Sequence, residues 1–173
     1  MKTILLVILT LLYPLFVFSE IPIGEKPKTV ILQGEDGGRL DGSKWSSEEI
    51  QGLIYMVFYI DPDEKELNDH MSQRLKKEKF PRDKVKSIAI INMDATWAPD
   101  FAIQSSLEEK QKEFPHTLYI KDIEKLLVKA WNLDDDNYDV LVFDPSGKVV
   151  FSKDGKLSEE ELELMIKTIR GLL

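Results

Sequence analysis

The sequence contains no cysteine. That absence removes a disulfide framework, a thiol nucleophile, a thiolate-held zinc or iron–sulfur centre, and a lipidated cysteine anchor. Cations are also in deficit: 23 Lys and Arg stand against 31 Asp and Glu, for a net charge of −8. A chain of that sign repels a phosphate backbone, so nucleic acid is not an expected partner. No Gly-x-Gly-x-x-Gly or Walker sequence is present, so nucleotide binding has no support. Ser105 and Ser106 lack the Gly-x-Ser-x-Gly elbow that exposes a serine nucleophile. Beyond residue 20 no apolar run approaches the roughly 20 residues that span a bilayer. What is present suits one packed domain, at 173 residues and 43% hydrophobic.

The first residues read as an address. Met1-Lys2 supplies a short basic start, and Ile4 to Phe18 is almost unbroken apolar sequence, interrupted by Pro14. Val17-Phe18-Ser19 then places small or modest side chains at the −3 and −1 positions before Glu20. This order is that of a secretory signal peptide cleaved after Ser19, leaving residues 20–173 as a single domain. The apolar stretch is short for an uncleaved anchor.

The mature chain alternates strands with helices. Lys28 to Gln33 predicts a short strand, followed by a turn-rich connection marked by Gly34, Gly37, Gly38 and Gly42. Ser46 and Glu49 have capping-box spacing. Leu53 to Ile60 is a continuous apolar run, as expected of a strand buried on both faces. Asp61-Pro62 ends it and opens a helix with Leu67, Met71 and Leu75 on one face. Val85 to Asn92 is the next strand, and a helix near Ser105 to Glu113 follows, with Ser106 and Glu109 as its capping box. Thr117 to Ile120 is a third strand; Ile123, Leu126, Leu127, Ala130 and Trp131 mark the inner stripe of another helix. Asp139–Phe143 and Lys148–Ser152 pair around the turn Asp144-Pro145-Ser146-Gly147. Ser158, with Glu161 three residues on, caps a final helix that turns Leu162, Met165, Ile166 and Ile169 inward. The pattern predicts an α/β sandwich: a central mixed sheet flanked by helices, closed by a β-hairpin and a C-terminal helix.

That order resembles the thioredoxin-like fold. Four segments are similar, in order and spacing, to the YtfJ family of periplasmic proteins: Asn92-Met93-Asp94-Ala95, Ser105-Ser106-Leu107-Glu108, Ala130-Trp131-Asn132-Leu133 and Lys153-Asp154-Gly155-Lys156-Leu157. The resemblance implies a periplasmic location and brings no established activity; the family's occasional label of transcriptional regulator conflicts with the leader and the acidic charge. In redox-active members of the fold, Cys-x-x-Cys follows the first central strand and a cis-proline precedes the hairpin. This chain has Asp61-Pro62-Asp63-Glu64 and Asn137-Tyr138-Asp139 at those places. Disulfide exchange and thiol peroxidase chemistry are therefore excluded, and no cofactor is expected.

The remaining candidates lie in loops. Asn92, Asp94 and Trp97 follow the second central strand at its C-terminal end, the edge where open α/β sheets bind ligands. With Asp61, Asp63 and Ser105 they would form a polar and aromatic patch for a periplasmic protein or peptide. The competing expectation is that the Asp and Asn side chains serve their own turns. The densest acidic run, Asp134, Asp135, Asp136 and Asp139, could offer oxygen ligands to calcium. It fails the EF-hand pattern, since its sixth and twelfth positions are Asp139 and Pro145. A metal- or small-ligand-binding protein, or a non-thiol enzyme using these acids, is the alternative function. His70 is expected to pair with Glu66 one helical turn earlier, and His116 to serve a turn. One direct check concerns the leader: N-terminal sequencing of the protein from the envelope fraction should read Glu20 first. Recovery of an intact Met1 chain from the cytosol would refute export.

Overall fold

The computed structural model describes residues 21–173, and the expected signal peptide lies outside them. Eight strands and four α-helices follow in chain order. They are β1 (Ile31–Leu32), β2 (Gly37–Arg39), β3 (Trp45–Ser46), β4 (Ile54–Ile60), α1 (Asp69–Glu78), β5 (Val85–Asn92), α2 (Asp100–Glu113), β6 (Thr117–Asp122), α3 (Leu126–Trp131), β7 (Tyr138–Phe143), β8 (Val149–Asp154) and α4 (Glu159–Leu172). Six strands form one mixed sheet in the order β2-β6-β5-β4-β7-β8, while β1 and β3 pair separately. β4, β5 and β6 run parallel; β7 runs against β4, and β8 returns against β7 as a hairpin.

Alternate side chains of the central strands enter two cores. On one face Val57, Tyr59, Ile88, Ile90, Leu141 and Phe143 pack under α3 and the β1–β3 ribbon, with Leu127, Trp131, Leu32 and Trp45. On the other, Met56, Val140, Val142 and Phe151 meet Met71 of α1 and the Leu162, Met165, Ile166, Ile169 stripe of α4. Ala89, Ile91 and Tyr119 pack beneath Ile103 and Leu107 of α2, a smaller cluster that shares Ile60 with the α1–α4 core. The uninterrupted apolar run of β4 is thus the signature of a strand covered on both faces. The terminal hairpin and α4 match expectation, including the reciprocal capping box of Ser158 and Glu161. Ser46 and Glu49 also form their box, over a single 3-10 turn at Ser47–Glu49.

Several boundaries depart from expectation, among them that of α3, which starts at Leu126 and leaves Ile123 to pack in the α2 cluster. The strand expected over Lys28–Gln33 contracts to Ile31–Leu32. The glycine run is not merely a connection, because Gly37–Arg39 is an edge strand of the main sheet. Gly37 sits at φ +118°, and a Cβ there would fall 2.0 Å from the Lys121 carbonyl oxygen, so only glycine lets β2 lie against β6. The helix expected directly after Asp61-Pro62 is first a 3-10 turn, Pro62–Glu64, and α1 starts only at Asp69. Finally, α2 begins at Asp100 behind Pro99, whose extended backbone (φ −61°, ψ 137°) forms the N-cap. Ser106 is therefore in the helix interior and caps nothing.

Candidate functional site

Because β4 and β5 are parallel and in register from Ile54↔Val85 to Ile60↔Ile91, the loops that follow them leave the sheet side by side. Asp61 begins one loop. Its side chain is buried and accepts the Asp63 N–H at 2.8 Å, capping the 3-10 turn. Its own N–H donates to the Asn137 carbonyl at 2.9 Å. The two places where redox-active members of the fold carry thiols and a cis-proline are thus held together here by a backbone hydrogen bond. Among the described residues no peptide bond is cis. Burial pushes the Asp61 carboxyl above its usual range against the opposing Asp63 N–H, with Asp63, Asp136 and Glu64 adding to the rise.

The second loop meets the first where the Thr96 hydroxyl donates to Asp63 Oδ1 at 3.2 Å. Asp94 is exposed, and Trp97 is almost wholly so, at 92%. Asn92 behaves differently. It is fully buried, and its amide donates to the Asp135 backbone carbonyl at 2.8 Å and to Asp135 Oδ1 at 3.0 Å. Asn92 therefore anchors the acidic loop and takes no part in the surface itself. Ser105 lies five residues into α2, about 7–8 Å along the helix axis from its first residue. It is exposed there, within the helix rather than at the helix start where it was expected. The structure thus gathers Asp61, Asp63, Asp94 and Trp97 at one edge, turns Asn92 inward and leaves Ser105 partway along α2.

Lys125 closes the edge. Its ammonium lies 2.9 Å from Asp135 Oδ2 and 3.4 Å from Asp94 Oδ2. Those carboxylates, Asp135 foremost, hold the Lys125 pKa above its usual value. Burial works to raise the Asp135 carboxyl, but Lys125 and Asn92 outweigh it and leave Asp135 below the ordinary range. Lys125 is a non-glycine residue in the left-handed region, at φ 52°. Asp122 holds it there. The fully buried Asp122 carboxylate accepts the N–H groups of Leu126 and Leu127, both at 2.9 Å, and the Tyr59 hydroxyl at 3.1 Å. Burial pushes the Asp122 pKa up, while these donors and Lys129 moderate it; Tyr59 is raised strongly by its own burial and by the adjacent Asp122.

The rest of the acidic run is occupied with itself. Asp134 Oδ2 accepts the Asn137 amide at 2.8 Å, and the Asp134 N–H donates to buried Asp139 Oδ1 at 3.3 Å. Asp136 is exposed. Among the described residues no three His, Asp or Glu side chains are grouped to hold a metal ion. The expected His70–Glu66 pair is not made, because Glu66 lies ahead of α1. The His70 ring instead hydrogen-bonds the Leu157 carbonyl at 2.9 Å, across to the turn before α4.

The roles of Asp122, Lys125 and Asp135 were not anticipated. Asp122 caps residues four and five positions ahead, outside the ordinary cap spacing of two or three. Phe101 was also missed. It is apolar, yet off the Ile103/Leu107 stripe, and stands 77% exposed in the first turn of α2.

This architecture is shared with known structures. A peroxiredoxin-like protein from Aquifex aeolicus superposes with a TM-score of 0.60 at 9% identity, covering 89% of each chain. A thiol-disulfide isomerase from Corynebacterium glutamicum gives 0.57 at 14% identity, over 86% of this chain and 96% of that one. The fold is thioredoxin-like, in a chain without thiols. Residues 27–172 match the model of a family described as "Bacterial protein of unknown function (YtfJ_HI0045)", and the chain belongs to that family. The uncharacterized protein YtfJ of Escherichia coli (strain K12) is 28% identical over 155 residues, 88% of this chain and 83% of its relative.

Two tests address the edge. Asp122→Ala orphans three donors and should cost about 3 kcal/mol in chemical denaturation, with Asp122→Asn, which keeps one acceptor, losing less. An alanine variant as stable as the parent would remove Asp122 from this role. The second concerns acid. With its folded pKa depressed, Asp135 stabilises the native state above the unfolded value of 3.8, and this is lost as pH falls through the folded pKa. Asp135→Asn should therefore flatten the loss of stability below about pH 4. Superimposable acid profiles would show that the Lys125–Asp135 pair contributes nothing.

Proposed function

We propose that the protein acts outside the cytoplasm as a thiol-free docking module of thioredoxin fold, holding a partner's polypeptide segment at the β4–β5 edge. The observation that carries this reading is the exposure of Trp97, at 92%, and of Phe101 four residues on, at 77%. Large aromatics left in water are the residues from which interfaces draw most of their energy. They rise from a rigid base, since Asp61, Asn92 and Lys125 tie the adjoining loops to the sheet and to α3. Exposed Asp63, Asp94 and Asp100 stand in the same loops and the first turn of α2, so the complementary segment is apolar with basic flanks. The leader sequence supplies the compartment.

The test places a photo-crosslinking amino acid at position 97 in living cells, then measures the captured protein against the purified chain. Trp97→Ala should weaken that affinity by at least about tenfold, or roughly 1.4 kcal/mol. An affinity unmoved by the substitution, or an exported chain that captures nothing from position 97, overturns the reading.

A further inference from the structure

The opposite end of the sheet, where β5 and β6 begin, reverses the charge of the molecule. From Lys76 to Lys86 six cationic side chains stand against two carboxylates, in a protein of net charge −8. One of the two, Glu78, is turned into the fold, with its side chain 5% exposed and paired to Arg74 and Arg170. Beside this segment lies a cleft of about 390 Å³ lined by Lys76, Arg82, Glu113, Phe114, His116 and Thr117, with Pro115 on its wall.

The chemistry of the lining is that of an anion site. Lys76 Nζ sits 4.5 Å from the centre of the Phe114 ring. A cation–π contact positions the ammonium without cancelling its charge. Glu113, the one acid in the lining, is engaged by Lys110 at 3.1 Å. Arg82 pairs with no carboxylate among the described residues; its guanidinium meets the His116 imidazole at Nε2. Thr117 adds a hydroxyl at the first position of β6. Lysines in the last turns of α1 and α2 also offset the carbonyl ends of those helices. Two helix ends supply about one negative charge between them, too little to neutralise the segment. Arg82 and His116 lie beyond both helices, in loops.

We infer that this cleft binds a phosphate monoester. Arg82, Lys76 and Thr117 offer donors from three elements, which suits a tetrahedral group with three terminal oxygens better than a planar carboxylate. Phe114 and Pro115 supply an apolar surface for the ester's organic part. The same group reaches the protein either as a free ester or as the headgroup of phosphatidic acid.

The site is tested on the full chain by NMR titration with phenyl phosphate and with inorganic phosphate, and by co-sedimentation with vesicles containing phosphatidic acid. Phenyl phosphate should shift the amides of Arg82, Phe114, His116 and Thr117 saturably, and Arg82→Ala and Lys76→Gln should each weaken binding at least about tenfold. Both side chains are exposed, so neither substitution threatens the fold. Shifts with the free ester and no vesicle binding assign a soluble ligand; vesicle binding lost in the same two variants assigns a lipid headgroup. Trp97→Ala should leave every readout unchanged, which separates this site from the aromatic edge. No saturable shift with either phosphate and no vesicle binding, or binding indifferent to Arg82 and Lys76, overturns the inference.

Discussion

A strand hydrogen-bonded on both sides and covered on both faces has no solvent to fall back on, and β4 is such a strand. It pairs with β5 and β7 along nearly its whole length, while Val57 and Tyr59 face one core and Met56 the other. Every residue of β4 must suit its neighbours above, below and beside it, because interiors pack as densely as organic crystals. In a chain with no cysteine, this double burial takes the part that cross-links play in disulfide-stapled domains. It also fixes where the Asp61 loop leaves the sheet, and so where the edge can form.

One polar group ties that core to the edge. Asp122 ends β6, accepts the Tyr59 hydroxyl from β4, and caps the first N–H groups of α3. Left-handed Lys125 is held in the same turn, and its ammonium secures Asp135 and Asp94. A buried carboxylate is costly to hold, and three donors here offset that cost. The geometry of the two acidic loops therefore depends on a residue that never reaches the surface.

The fold was legible where burial dictates composition. The apolar run at 53–60, the hairpin at Asp144–Gly147 and the Ser158–Glu161 cap each follow from a local rule that the tertiary structure obeys. Where it was misread, tertiary context or a competing local signal won. Ser106-Leu107-Glu108-Glu109 carries the letters of a capping box, yet Pro99 starts the helix earlier and Ile103 joins Leu107 on the sheet-facing side. Gly37 reads as a turn until the carbonyl of Lys121 is set against it. The edge was half legible: parallel topology puts Asp61 beside Asn92, but nothing local says that Asn92 points inward. The basic cleft is masked by the net charge of the whole chain, and only the fold sets its cations, Lys76 and Arg82, against the Phe114–Thr117 wall.

The contrast among the tryptophans has an optical consequence. Trp45 and Trp131 are buried, at 0% and 3% exposure, whereas Trp97 stands at 92%. The protein thus contains two indoles in an apolar interior and one in water, and the intrinsic emission is a sum of two separable populations. An aqueous quencher extinguishes the Trp97 component first, while the buried pair reports on whether the cores remain closed. Occupancy of the edge and integrity of the fold are in this way written into different parts of one spectrum, without a label.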